Sequence, residues 1–127
     1  MCIRSYSLKV AETDIVCYKQ LCRSELFGFL YTPVVRRLMF PWVLSGKRLY
    51  RARGFKRIEC LEDYTFWVDS GFVYSYARGD DVFDDGKLYV AYECVIPAGT
   101  RYWMSTDAMV YASDKIRFKR RLKLEED

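Results

Sequence analysis

Histidine does not occur in this sequence. Its absence excludes Ser-His-Asp and Cys-His catalysis, imidazole acid–base work and zinc hydrolysis built on HExxH. Any reaction here must use carboxylates, Lys, Tyr or Cys. Long apolar runs are missing too. The longest near-apolar stretches, Leu26 to Val35 and Leu38 to Leu44, are short and interrupted by Pro33 and Pro41, so no membrane-spanning helix is expected. The opening MCIRSYSLKV lacks the apolar core and small-residue cleavage site of a signal peptide, which predicts a cytoplasmic protein. The five cysteines, Cys2, Cys17, Cys22, Cys60 and Cys94, form no CxxC pair. Cys17 and Cys22 alone are close. Without His or a second close pair they make a poor zinc half-site, so neither metal nor cofactor is expected.

The chain has 127 residues, of which 51% are hydrophobic and 17% aromatic. This suits one folded domain spanning residues 1–127, able to bury roughly 65–70% of its unfolded surface without disulfides. Strand signals dominate. In DIVCYKQL, residues 14–21, Val16, Tyr18 and Gln20 share one face; Ile15, Cys17, Lys19 and Leu21 share the other. KLYVAYECVI, residues 87–96, is apolar on both faces and reads as a central strand. KRLYRAR, 47–53, suits an edge. DKIRFKR, 114–120, puts Ile116 and Phe118 inward. One helix is predicted from Leu61 to Asp69, because Leu61, Tyr64, Thr65 and Val68 fall at helical spacing and Gly71 follows. The segment 77–87 reads as a polar loop or short acidic turn-helix. The expected class is α+β: a mostly antiparallel twisted sheet with one or two short helices and substantial loops.

Charge is segregated. Residues 36–57 hold eight Lys/Arg and no acid, whereas residues 59–93 hold nine acids against Arg78 and Lys87. Lys115 to Lys123 adds six basic residues before Glu125, Glu126 and Asp127. These blocks either neutralise one another or leave a basic and an acidic face. The candidate ligand-binding residues are Lys47, Arg48, Tyr50, Arg51, Arg53, Lys56, Arg57 and Arg101. Arg forks beside Tyr50 and Phe55 suit phosphate or a stacked base; the competing reading is a solvated strand paired to the acidic block. Lys115 to Lys123 could be an arm for nucleic acid, or a charged edge. Asp80, Asp81, Asp84 and Asp85 lack EF-hand spacing and read as a solvated loop. Pro97 to Thr100 reads as a corner between strands, with Trp103 in the core.

Three phrases carry a resemblance: KVAETDIVCYK at 9–19, GF followed by LED within 54–63, and ECVIPAGTRYW with YASDKIRF within 93–118. Together they resemble small uncharacterised proteins of gut Bacteroidales and their phages. The resemblance implies a phage or mobile-element origin and a role against host defences. A fainter likeness links VIPAGT at 95–100 to a corner of the ADP-ribosyltransferase fold. There a catalytic Glu opens a late strand, but AMVYASDKIRF contains none, and Glu93 is the best-placed strand carboxylate. The leading expectation is a non-enzymatic binding protein that engages a host protein or sequesters a small phosphorylated ligand, such as a nucleotide. The alternatives are a divergent ADP-ribosyltransferase-like enzyme and a nucleic-acid-binding module.

Overall fold

The computed structural model describes residues 3–33, 36–69 and 71–122. Eleven strands follow one another: β1 Ile3–Val10, β2 Ile15–Arg23, β3 Leu30–Tyr31, β4 Tyr50–Arg51, β5 Ile58–Cys60, β6 Phe66–Val68, β7 Val73–Tyr76, β8 Tyr89–Ile96, β9 Arg101–Ser105, β10 Val110–Ser113 and β11 Lys115–Leu122. A single helical turn, α1, spans Pro41–Leu44, and a 3-10 turn spans Gly79–Asp81. The strands form one sheet in the order β4-β11-β8-β2-β7-β10-β9-β1-β6-β5, with β3 added to β2. The sheet curls into an antiparallel half-barrel with 49% of the chain in strands and 6% in helix. The expected α+β class is therefore corrected: the sheet's own curvature encloses the core, and among the described residues no helix layer covers it.

The helix expected at 61–69 does not form. Its apolar spacing is real, but Asp63 captures the local backbone. The Asp63 carboxylate accepts from the Thr65 amide at 3.1 Å and the Thr65 hydroxyl at 2.6 Å. Such side-chain turns compete with helix formation. Tyr64 sits at φ 64° in the left-handed region. The chain then runs as β6, with Val68 opposite Ile3.

The strand assignments fare better. β8 is central, paired to β2 through Cys17↔Cys94 and Lys19↔Tyr92 and to β11 through Phe118↔Cys94. Residues directly opposite share a face. The concave face therefore collects Cys17, Leu21, Val90, Cys94, Ile116 and Phe118, all buried. A second cluster occupies the other side of β9 and β10: Ile3, Val68, Phe72, Trp103 and Ala112. The strand expected at 47–53 shrinks to β4, at the sheet edge. At the 97–100 corner Gly99 takes φ 85°. Its amide donates to the Ala11 carbonyl at 2.7 Å, and the Ala98 amide donates to Asp14 at 2.9 Å. This corner is stitched to the β1–β2 turn and displays no ligand group beyond Arg101.

The charge blocks meet selectively. Arg121 grips Asp84 with two hydrogen bonds of 2.7 and 2.8 Å, and Arg120 reaches Glu93 at 3.0 Å. Asp84 and Glu93 of the acidic block thus take their partners from β11, while Asp63 and Asp80 lie near Arg4 and Arg78. The distal end of that basic run, Lys123, and the acidic tail at Glu125, Glu126 and Asp127 lie outside the described residues. Burial alone would push Asp84 up. Arg121 and the Ala91 and Gly86 amides reverse this and hold it below the ordinary carboxylate value. A carboxyl depressed in the fold stabilises it above the unfolded pKa and loses that contribution as pH falls through the folded one. Stability should therefore decline below pH 3.8, the unperturbed value. Asp84→Ala should cost roughly 2–3 kcal/mol, since it strands a partly buried guanidinium. Asp80→Ala, at an 89%-exposed side chain, should leave stability unchanged. Urea denaturation at neutral pH compares the two, and equal losses would contradict this assignment.

Candidate functional site: a cationic cavity beside β2

β2 has one continuous edge and one divided edge. Toward β8 it pairs from Ile15 to Cys22. On the other side β3 holds Cys22 and Arg23, while β7 meets it at Tyr18. Between these contacts, at residues 19–21, the sheet forks. A cavity of about 190 Å³ opens at the fork.

Three cations line it: Lys19, Arg37 and Arg53. Tyr50, Thr32, Ser75 and the aromatic side chains of β7 supply the rest of the relevant wall, and no Asp or Glu is among the described lining residues. Strand alternation sends Lys19 to the apolar face beside Cys17 and Leu21. The residue is 9% exposed. Its Nζ donates to the Tyr74 carbonyl at 2.7 Å. Burial drives the Lys19 amine down from 10.5 to about 8, against the pull of the Cys94 and Cys17 thiols, and Arg37 lowers it further. Burial in turn raises both thiols, Cys17 to about 11. They are free, and poorly reactive as nucleophiles. The Ser75 hydroxyl lies beside the Cys17 thiol, and no other described nitrogen or oxygen satisfies it.

Arg37 is positioned by its neighbours. Its amide donates to Thr32 Oγ1 at 2.8 Å, and its Nη1 donates to the Arg51 carbonyl at 2.8 Å. The guanidinium lies 4.5 Å from the centroid of the Tyr50 ring, a cation–π arrangement. Tyr50 packs edge-on against Phe118. Burial raises its phenol, while Arg37, Thr32 and Arg53 oppose the shift. Gly71 closes another wall. A Cβ there would stand 1.8 Å from the Phe55 carbonyl, so only glycine lets residues 53–57 pass this close.

Of the residues singled out from the sequence, Tyr50 and Arg53 reach this cavity. Arg51, Lys56 and Arg101 gather elsewhere, around Asp114. Asp114 takes Lys56 at 2.7 Å and Arg101 at 2.9 Å. Arg57 lies in a separate shallow recess with Glu59 and Asp69. Lys47 and Arg48 are exposed and line neither. Glu93, opposite Tyr18, faces away from Lys19 and bonds Arg120. Lys19 and Arg37 are not among those residues. The legible signal was Lys19 itself, a cation in phase with Cys17 and Leu21. Among the described residues no group of His, Cys, Asp or Glu is arranged to hold a metal ion, and no helix is long and apolar enough to cross a membrane. No family model, curated protein or solved structure matches the chain.

A lysine depressed in the fold has a definite pH signature. Between 8 and 10.5 the unfolded chain keeps a proton that the folded chain has released. Raising the pH there favours the fold. The raised thiols act in the opposite direction, but they are common to wild type and a Lys19→Met variant. The stability difference between the two proteins should therefore move toward wild type by about 1 kcal/mol from pH 8 to pH 9. Paired denaturation curves measure it, and a difference independent of pH would refute the burial assigned to Lys19.

Proposed function

We propose that this is a non-enzymatic binding protein whose fork cavity holds the anionic end of a small phosphorylated ligand. One observation carries the reading: Lys19, Arg37 and Arg53 converge on a cavity whose described lining contains no carboxylate. Lysine and arginine side chains gathered at one cavity favour an anion, and guanidinium forks match phosphate geometry. The aromatic wall suits a short carbon skeleton or one face of a ring. Size sets the limit. At about 190 Å³ the cavity is smaller than the roughly 300–1,000 Å³ of pockets that enclose drug-sized ligands. A nucleotide would place only its phosphate or its ring inside. In the phage setting that the resemblance implies, such a protein would act as a sink for a small phosphorylated signal.

A protein partner draws support from a different surface. Leu26, Phe27, Phe29, Leu38, Leu88 and Tyr89 are all exposed, and most of them border one open recess. Exposed apolar patches of this kind favour contact with another macromolecule. The two readings separate by mutation, because no residue of this patch lines the fork cavity.

Calorimetry with inorganic phosphate and glycerol phosphate tests the ligand reading. Both should bind, and Arg37→Met should weaken binding about tenfold or more, as expected for loss of one charge-assisted hydrogen bond. Lys47→Ala and Phe27→Ser should leave it unchanged. Absence of binding by wild type, or equal weakening by Lys47→Ala, would overturn the assignment.

A further inference from the structure

The two ends of the sheet are finished differently. At the β4 end the Ala52 amide bonds the Asp114 carbonyl, which turns Arg51 outward. The Arg51 carbonyl then accepts from Arg37 Nη1 at 2.8 Å, so a side chain occupies that edge. β5 forms the other end, and among the described residues no strand pairs its far side. Which backbone groups point there follows from β6. The Asp69 amide donates to the Arg57 carbonyl at 3.1 Å, and the Leu61 amide to the Thr65 carbonyl at 2.8 Å. Alternate residues of an antiparallel strand bond the same neighbour. Arg57, Glu59 and Leu61 therefore face β6, while Ile58 and Cys60 present their amides and carbonyls outward.

The side chains at this edge are half of a larger pattern. Ile3, Val68 and Ile58 stand in one row across β1, β6 and β5. Ile3 and Val68 are buried, but Ile58, at the rim of the row, is 47% exposed. The opposite face carries the row Arg4, Trp67 and Glu59, and Trp67 is exposed as well. Arg57 borders the same recess as Glu59 and Trp67. Neither Arg57 nor Glu59 forms an ion pair among the described residues.

We propose that the β5 edge pairs antiparallel with the β5 edge of a second copy, Ile58 opposite Ile58, in a two-fold dimer with one sheet running through both chains. Charges on an edge often block such pairing. Here they are self-complementary, because this register sets Arg57 opposite Glu59 of the second copy, and symmetry makes that contact twice. A slip of two residues either way sets Glu59 against Glu59 or Arg57 against Arg57, and like charges directly opposite are unfavourable. The apolar row then runs through Ile58 into its own image. The polar row runs from Glu59 into Arg57 of the second copy. Exposed ion pairs add little affinity; they select the register, while the outward backbone groups and the apolar row supply the attraction.

Sedimentation velocity of the full chain over a concentration series tests this. Wild type should dimerise reversibly with a Kd between about 10 µM and 1 mM, as suits a small edge interface. Arg57→Glu and Glu59→Arg each set like charges together twice and should weaken the dimer at least about fivefold. An equimolar mixture of these two variants restores opposite signs at both contacts and should associate as wild type does. Ile58→Pro removes an outward amide, spares the bonds to β6 and should abolish the dimer. A wild type that stays monomeric at about 1 mM overturns the proposal. So does a mixture that associates no better than either variant alone. A dimer that survives Ile58→Pro and both reversals but is lost in Phe27→Ser belongs to the apolar patch near Leu26, which also overturns it.

Discussion

The fold and its candidate site both depend on how β2 shares its edges. One edge is committed along its length to β8. The other must serve β3 near Arg23 and β7 near Tyr18. A curled sheet cannot keep both partners in contact with a single straight strand, because twist carries neighbours apart along its length. The split leaves a gap at residues 19–21, on the concave side of the half-barrel. Every polar feature of the cavity follows from it. Gln20 turns toward β8 instead, accepting from the Phe83 amide and donating to the Phe83 and Val90 carbonyls, at 2.9, 2.9 and 3.1 Å. Lys19, one residue earlier, points to the other face and into the cavity.

Burying an unpaired ammonium is costly. Two neighbouring features limit that cost. The Tyr74 carbonyl supplies one short hydrogen bond, and the depressed pKa lets the amine shed its proton near neutral pH. Elsewhere the protein pairs its charges carefully. Asp84 is saturated by Arg121 and backbone amides, and Asp114 serves both Lys56 and Arg101. The contrast with the cavity, where a carbonyl holds Lys19 and the described lining contains no carboxylate, is what gives the fork its chemical character.

Much of the sheet was legible in the sequence because alternation reports burial directly. Cys17, Lys19 and Leu21 sit inside as their phase requires, and so do Ile116 and Phe118. Trp103 is core, as its place after the 97–100 corner suggests. The helix at 61–69 failed because helical spacing over nine residues is weak evidence against one well-placed carboxylate at Asp63. The site was half legible. The basic run pointed to Tyr50 and Arg53, but linear charge density could not separate them from Lys56 or Arg101, whose counter-ion Asp114 lies far along the chain. Arg37 joins the cavity only because the segment after β3 folds over Tyr50, a contact between residues 13 positions apart. No local pattern encodes that.

The candidate site depends on the state of one amine. Lysine-selective NMR can follow Lys19 through a pH titration, with and without inorganic phosphate. The expectation is a titration near 8 that moves upward when phosphate binds, because an anion favours the charged amine. A Lys19 resonance titrating at the ordinary lysine value of 10.5, unmoved by phosphate, would contradict both the buried amine and the anion site built around it.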